Sequence, residues 1–264
     1  MHPILVSDAG QIRTITLNRP DHRNALSPAM QYALIAALDE ASAAKSVRVV
    51  VITGAGTAFC AGLDLSALKH VETLQQTSSP EAMELADNTH RFSRILRTIY
   101  ELSKPTIAAV NGHAIAGGTG LATVCDFTLA VPEAKFGYTE VKIGFVPAVV
   151  SAYLSMQVGE RRARELLLTG RLFTADYAHK LGLVTEVVEP AELTSRVHAL
   201  ADLLVANSPT SLRDTKALLA DQHREWLDRS IEMSLAASVE SRKTPDFLEG
   251  ISAFLEKRKP KWAE

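Results

Sequence analysis

The sequence has few cysteines and no excess of charge of either sign. Cys60 and Cys125 lie far apart and in no CxxC pair, which excludes a disulfide framework and a zinc ribbon. Lys and Arg number 28 against 30 Asp and Glu, so the basic excess of a general nucleic-acid-binding protein is missing. Because the N-terminus also lacks the basic and long apolar regions of a signal peptide, we expect a cytoplasmic protein with reduced cysteines.

A membrane span and the sharpest catalytic motifs are absent as well. Thr106–Cys125 carries no Asp, Glu, Lys or Arg, but Asn111, His113 and a glycine-rich run in its middle would be costly in lipid. We therefore expect a buried strand, turn and helix there. The sequence has no Walker A loop, GxSxG elbow, HExxH motif or GxGxxG dinucleotide loop, and its eight histidines are scattered. No metal site is expected.

Apolar runs alternate with helical patterns in the first half of the chain, which predicts an α/β fold. We predict strands at Ile12–Leu17, Val47–Thr53, Thr106–Val110 and Phe127–Val131. Helices are predicted from the Ser27-Pro28 start to Ala44, at Glu81–Leu102 and at Gly118–Val124. The polar stretch Gln75–Pro80 between them is predicted to be a mobile cover.

From about Pro147 onward the pattern is almost entirely helical. Thr174 and Ser208-Pro209 are expected to start helices, and Pro245–Arg258 places apolar residues on one side at helical spacing. We therefore divide the chain into an α/β core at 1–195 and a helical region at 196–264. Such an extension with a long apolar face suits packing on a neighbouring subunit.

Two loops of small residues follow predicted buried strands, at Ala58–Leu65 and Asn111–Gly120. Small residues let a backbone approach a ligand closely, and a loop entering a helix presents unpaired N–H groups. Two such groups aimed at one oxygen form an oxyanion hole. Close packing between core segments requires the same residue types, so this pattern alone leaves both interpretations open.

These loops, in this order and at this separation, resemble the crotonase (enoyl-CoA hydratase/isomerase) superfamily, and the resemblance covers nearly the whole chain. The other matching segments are Arg19-Pro20, Asn24-Ala25-Leu26, Lys104–Gly112, Cys125-Asp126, Phe136-Gly137 with Glu140, and Ala253–Arg258. The resemblance implies a spiral of ββα units with a helical C-terminal trimerisation region. It also implies a coenzyme A thioester as substrate, with no separate cofactor. A homotrimer or homohexamer is expected, with no nucleic-acid or membrane partner.

Matched loop to loop, the resemblance assigns the oxyanion hole to the N–H groups of Ala61 and Gly117. The best-known hydratases of the family use two glutamates, and Gly120 stands at one of these positions while Glu140 matches the other. The segment around Glu140 is mostly apolar, so its carboxyl is expected to be partly desolvated, with a raised pKa suited to proton exchange at carbon. Glu84 and Asp87 are alternatives for a second acid.

The resemblance also predicts the substrate contacts. They are Arg23, Ala25, Ala61, Gly62, Leu63, Asp64, Leu65, Gly117, Gly118, Gly120, Phe254 and Lys257. Phe254 and Lys257 are expected from a neighbouring subunit, and the charges of Arg23 and Lys257 suit phosphate groups. Asp64 is expected to hold its loop, His113 to pack or bond to backbone, and both cysteines to be small core residues.

The predicted reaction is hydration of a 2-enoyl-CoA thioester. Because Gly120 has no side chain, we expect space for a water molecule there. The local sequence around Gly117 and Glu140 is also similar to that of bacterial hydratases. Isomerisation of a 3-enoyl to a 2-enoyl thioester needs one base, so Glu140 alone would suffice for it. A non-catalytic acyl-CoA-binding subunit is a third interpretation.

Overall fold

The computed structural model describes residues 2–65 and 80–262. The predicted cover Gln75–Pro80 lies outside these ranges except for Pro80, which begins a helix. The strands are β1 (Ile4–Ala9), β2 (Ile12–Leu17), β3 (Val49–Gly54), β4 (Ala58–Cys60), β5 (Thr106–Val110), β6 (His113–Ile115), β7 (Phe127–Ala130), β8 (Lys135–Gly137), β9 (Phe173–Thr174) and β10 (Glu186–Val187). The α-helices are α1 (Pro28–Ala43), α2 (Pro80–Glu101), α3 (Gly117–Thr123), α4 (Ala148–Thr169), α5 (Ala175–Lys180), α6 (Leu193–Ala206), α7 (Pro209–Ser241) and α8 (Pro245–Leu255).

The strands form a six-stranded sheet in the order β1-β2-β3-β5-β7-β10 and a four-stranded sheet in the order β4-β6-β8-β9. Each successive pair, β3 with β4, β5 with β6 and β7 with β8, places one strand in each sheet and is followed by a helix. The strands contributed to each sheet by these pairs run parallel to one another. This repetition confirms the predicted spiral of ββα units.

Local sequence explains where these elements begin. Val49–Ile52 in β3 is buried along its whole length because the strand lies between β2 and β5. Helix α1 starts at Pro28, and the Ser27 hydroxyl accepts a hydrogen bond from the Met30 N–H at 3.3 Å. Thr174 caps α5 in the same way, and Ser208 caps α7. The predicted starts of these helices are confirmed.

The C-terminal region is helical, as expected, but α6 runs across the predicted division at 195/196. Leu193, Val197, Ala201 and Leu204 of α6 belong to the same apolar core as the sheets. Helix α7 packs against α2 and α4, and α8 packs against a 3-10 helix at Glu140–Ile143 of its own chain. The division into two regions stays a prediction.

The uncharged segment Thr106–Cys125 forms β5, β6 and α3, so the expected buried strand and helix are present and a second short strand lies between them. Among the described residues, no helix is both long and apolar enough to cross a membrane. Cys60 and Cys125 are buried in the core, and burial raises the pKa of each thiol to about 12. Their prediction as small core residues is confirmed.

Candidate active site

A cavity of about 170 Å³ lies where the two small-residue loops meet the segment after β8. The first loop contributes Ala61, Leu63 and Leu65, and the second contributes residues 115–117. Glu140 is the one carboxylate among the described lining residues. Most of the other lining residues are apolar and come from α2, the chain before and at the start of α4, and α8.

The first predicted oxyanion donor is already occupied. The Ala61 N–H donates to the carbonyl oxygen of Arg23 at 3.0 Å, so it is not available to a substrate oxygen. The assignment of this donor to Ala61 is therefore wrong. Ala61 still lines the cavity through its small side chain and backbone.

The amide N–H of the first loop that is available to a substrate oxygen belongs to Leu63 and not to Ala61. Leu63 forms a parallel bridge with Leu26, in which the Leu26 N–H donates to the Gly62 carbonyl at 2.8 Å and the Asp64 N–H donates to the Leu26 carbonyl at 3.2 Å. In a parallel bridge of this kind the N–H of the middle residue points away from the partner strand. The Leu63 N–H therefore points away from Leu26, and it makes no hydrogen bond to another described residue.

The second loop is held in a strained conformation before α3. Ala116 has φ +52, a value rarely adopted by residues other than glycine, and its N–H donates to the Gly137 carbonyl at 2.6 Å. Its own carbonyl accepts from the N–H groups of Thr119 and Gly120. The next amide, that of Gly117, begins α3 and has no acceptor within the described ranges.

The two loops touch at Gly62. A Cβ atom placed on this residue would lie 3.1 Å from the Gly117 nitrogen and 3.0 Å from the Ile115 oxygen, and its φ of +87 favours glycine. The amides of Leu63 and Gly117 therefore lie at the same corner of the cavity. Small residues are required here for close packing and also for the approach of the two amides to the cavity. Core packing and an oxyanion hole, the two interpretations of the loops, are therefore compatible.

Glu140 is 9% exposed and begins the 3-10 helix at residues 140–143. Its Oε2 atom is buried without a hydrogen-bond partner in the described part of the chain. Burial raises the pKa of this carboxyl from 4.5 to about 7, since few groups stabilise its charge. A carboxyl that is partly ionised at neutral pH is able to give and to take a proton.

The expected space at Gly120 does not exist. A Cβ atom placed there would lie 2.5 Å from Cγ1 of Val150, and the buried Val150 side chain lines the cavity in its place. Gly118 faces the Cys60 carbonyl so closely that a side chain is excluded. Gly118 and Gly120 therefore pack against the core, and their predicted substrate contacts are corrected.

Asp64 holds its loop through an ion pair with Arg19, at 2.8 Å between Oδ2 and Nη1, and this expectation is confirmed. The same Arg19 nitrogen donates to the Ala25 carbonyl at 2.7 Å. Arg23 and Lys257 are exposed and lie outside the described cavity lining, so their contacts with coenzyme A stay predictions.

Three further predicted residues, one histidine and two carboxylates, lie outside the described cavity lining. His113 accepts from the Lys135 N–H at 3.2 Å, as expected of a side chain that bonds to backbone. Glu84 is exposed and pairs with Arg91 at 2.5 Å, and Asp87 is exposed. Neither carboxylate belongs to the described cavity lining, so neither is placed to act as a second acid.

Phe254 lines the cavity of its own chain. Helix α8 folds back over the segment after β8, where Phe247 packs on Phe145 with 5.6 Å between ring centroids. Phe254 therefore contributes to the site of its own chain, and its expected contact with the site of a neighbouring subunit stays a prediction.

The family model described as enoyl-CoA hydratase/isomerase matches residues 8–264. The chain belongs to this family. A Thermus thermophilus relative, provisionally named enoyl-CoA hydratase, is 44% identical and aligns over 97% of this chain and 98% of its own length. A crotonyl-CoA hydratase of Syntrophomonas wolfei is 33% identical over 97% and 96%. An enoyl-CoA hydratase structure from Mycobacterium avium subsp. paratuberculosis superposes with a TM-score of 0.85, at 26% identity and 99% coverage of both chains.

Several residues of this candidate site could not be predicted from the sequence. Leu63 was expected to contact substrate but not to donate its amide, and the signal that identifies it is its pairing with Leu26. Thr89 and Ser238 line the cavity from α2 and α7, where no motif marks them. Nothing in the sequence marks Val150, and its role becomes evident only from its position next to Gly120 in the structure.

Proposed function

We propose that this chain is an enoyl-CoA hydratase that adds water reversibly across the double bond of a 2-enoyl-CoA thioester. The observation that carries the proposal is a buried carboxyl, Glu140, in the same cavity as the amides of Leu63 and Gly117. The names of relatives that align over nearly their whole length support the same reaction. Those names differ in acyl group, so they leave the acyl chain open.

The two amides are proposed to hold the thioester carbonyl oxygen. Addition of water at C3 places negative charge on this oxygen as an enolate forms, and preset donors stabilise the enolate more than the ground-state carbonyl. One such donor contributes roughly 3 kcal/mol to lowering a barrier of this kind. Leu63 takes the role that the sequence assigned to Ala61, and Gly117 keeps its role.

Glu140 is proposed to move both protons. Its ionised carboxylate takes a proton from the water that attacks C3, and the resulting carboxylic acid gives a proton to C2 of the enolate. One water is then added across the double bond, and Glu140 returns to its ionised form. The pKa of about 7 suits this exchange because both protonation states are populated near neutral pH.

Isomerisation of a 3-enoyl to a 2-enoyl thioester is the second candidate. It is favoured by the single carboxylate of the described cavity lining and by Val150, which fills the place beside Gly120. In this reaction Glu140 removes a proton from C2 and returns it to C4, while the same two amides stabilise the dienolate. A non-catalytic acyl-CoA-binding subunit would keep the amides but turn over neither substrate.

One assay separates these candidates. A 2-enoyl-CoA and a 3-enoyl-CoA are supplied separately, and the absorbance of the conjugated double bond is followed. Loss of absorbance with the first substrate supports hydration, whereas a gain with the second and no change with the first supports isomerisation. Tight acyl-CoA binding with neither change would support the binding subunit.

Two further proposals concern assembly and coenzyme A. Large apolar side chains are exposed along α7, among them Leu218, Trp226 and Met233, which suits a homotrimer or homohexamer. Light scattering during size-exclusion chromatography tests this, and a monomer at micromolar concentration would contradict it.

Arg23 and Lys257 are proposed to pair with coenzyme A phosphates, so alanine at either position should raise KM with little change in kcat.

A further inference from the structure

Arg242 follows directly after α7 and is only 6% exposed. Its Nη2 atom donates to the Thr89 hydroxyl at 2.6 Å and to the Ser238 hydroxyl at 3.0 Å. Its Nε atom is buried with no hydrogen-bond partner in the described structure. This guanidinium is thus held by two neutral hydroxyl groups.

No described carboxylate pairs with this cation. Burial lowers the pKa of Arg242 to about 10, which leaves the group charged at neutral pH. A buried charge without a partner of opposite sign is costly, and proteins rarely keep one unless something compensates it. Because none of the described carboxylates, Glu140 included, forms an ion pair with the guanidinium, the compensating group is expected from a ligand.

The cation lies directly behind the cavity wall. Thr89 and Ser238, which accept its hydrogen bonds, both line the cavity that contains Glu140. Phe145 lines it too, and the guanidinium carbon of Arg242 is 5.8 Å from the centre of the Phe145 ring.

The hydroxyl groups of Thr89 and Ser238 differ in whether their protons already have an acceptor. Thr89 donates its proton to the Leu85 carbonyl at 3.1 Å, whereas the Ser238 hydroxyl has no acceptor among the described residues. The Ser238 proton is therefore available to a ligand, and the adjacent guanidinium makes it a stronger donor.

We propose that the acyl chain of the substrate ends in a carboxylate, which accepts from Ser238 and is attracted by Arg242. This inference rests on the proposed function for the identity of the thioester, and it adds the class of acyl group. The substrate would be a 2-enoyl-CoA derived from a dicarboxylic acid. The volume of the cavity, about 170 Å³, favours a short chain. A methyl-terminated chain would cover the guanidinium without compensating its charge.

A matched pair of substrates tests this proposal. Glutaconyl-CoA and 2-pentenoyl-CoA have the same chain and differ in a terminal carboxylate against a methyl group. We expect wild-type protein to hydrate glutaconyl-CoA with a kcat/KM at least tenfold higher. Ser238→Ala and Arg242→Met should each lower that value at least tenfold and lower the value for 2-pentenoyl-CoA by a much smaller factor.

Ser241→Ala is the control, since Ser241 is also a buried serine of α7 but bonds to the Ser238 carbonyl and lies outside the described cavity lining. It should leave both substrates unaffected. Equal rates for the two substrates in wild-type protein would overturn the proposal, as would an equal loss for both in the two variants. If Arg242→Met fails to fold, the Ser238→Ala comparison decides the matter by the same criterion.

A binding measurement keeps this inference separate from the proposed function. Glutaryl-CoA and pentanoyl-CoA are saturated, so calorimetry with them requires no turnover. If neither enoyl thioester is hydrated, the proposed function fails, yet tenfold tighter binding of glutaryl-CoA that is lost in Ser238→Ala would still support the carboxylate site. Equal affinities would reject it.

Discussion

Val150 occupies the place where a side chain on Gly120 would lie. A Cβ atom on Gly120 would be 2.5 Å from Val150 Cγ1, a separation that real Cβ contacts do not show. The two residues come from different helices, α3 and α4, and act as one packing unit. A second glutamate at position 120 would therefore require a change on α4 as well.

This pairing predicts a coupled effect on stability. Gly120→Ala should lower the free energy of unfolding by about 1–3 kcal/mol because the new methyl group overlaps Val150. In a Val150→Ala background the same change should cost much less, since the space has been opened. Denaturant unfolding of the four proteins measures the coupling. Strictly additive effects would mean that the two side chains do not compete for this space.

Removing the carboxyl of Glu140 should abolish most of the activity. Glu140→Gln keeps the shape of the side chain but cannot exchange protons, so kcat should fall roughly a hundredfold to ten-thousandfold. Glu133→Gln changes an exposed carboxylate and should have no effect. Steady-state rates are measured with the enoyl-CoA that the absorbance assay shows to be the substrate. Full turnover by Glu140→Gln would remove this residue from the mechanism.

The raised pKa of Glu140 also predicts how stability depends on pH. The folded state holds the proton up to about pH 7, whereas the unfolded chain releases it near 4.5. Between these values the folded state binds more protons, so its stability falls as pH rises, by roughly 3 kcal/mol in total. Glu140→Gln lacks this contribution. The gap between variant and wild type in unfolding free energy should therefore widen in favour of the variant from pH 4.5 to 7, and a constant gap would contradict the shift.

Gly62 should prove more important for catalysis than for folding. Gly62→Ala brings a methyl group within 3.1 Å of the Gly117 nitrogen, which should push apart the amides of Leu63 and Gly117 and lower kcat roughly a hundredfold to a thousandfold. Gly182→Ala is the matched control, because Gly182 also has a positive φ (+79) but nothing lies within 4 Å of its Cβ position. Both variants should lose some stability, but only the first should lose activity.

Elements with a strong local pattern were predictable from the sequence, whereas β1 and the short strands of the second sheet were not. The buried run at Thr106–Val110 and the Ser27-Pro28 helix start are strong local signals, and both were predicted correctly. Strands β4, β6 and β8 have three residues each, too few for an alternating or continuous apolar pattern. Strands β4 and β6 therefore lie inside the segments predicted as small-residue loops, although the family resemblance implies the spiral to which they belong.

The site divides in a similar way. Glu140 and Gly117 were found because residue type and position in a motif identify them. The exchange of Ala61 for Leu63 depends on which amide already has a partner, and that is decided by the contact of the loop with Arg23 and Leu26. The wrong expectation of space at Gly120 has the same origin, because its neighbour on α4 is 30 residues away in the chain.

Helix α8 folds over the site of its own chain and contributes Phe254 to the cavity lining, so we expect each chain to act on substrate independently of its neighbours. Assemblies mixed from wild-type and Glu140→Gln chains should then lose activity in simple proportion to the fraction of inactive chains. Association would then add to the stability of the protein, and the number of active sites would equal the number of chains.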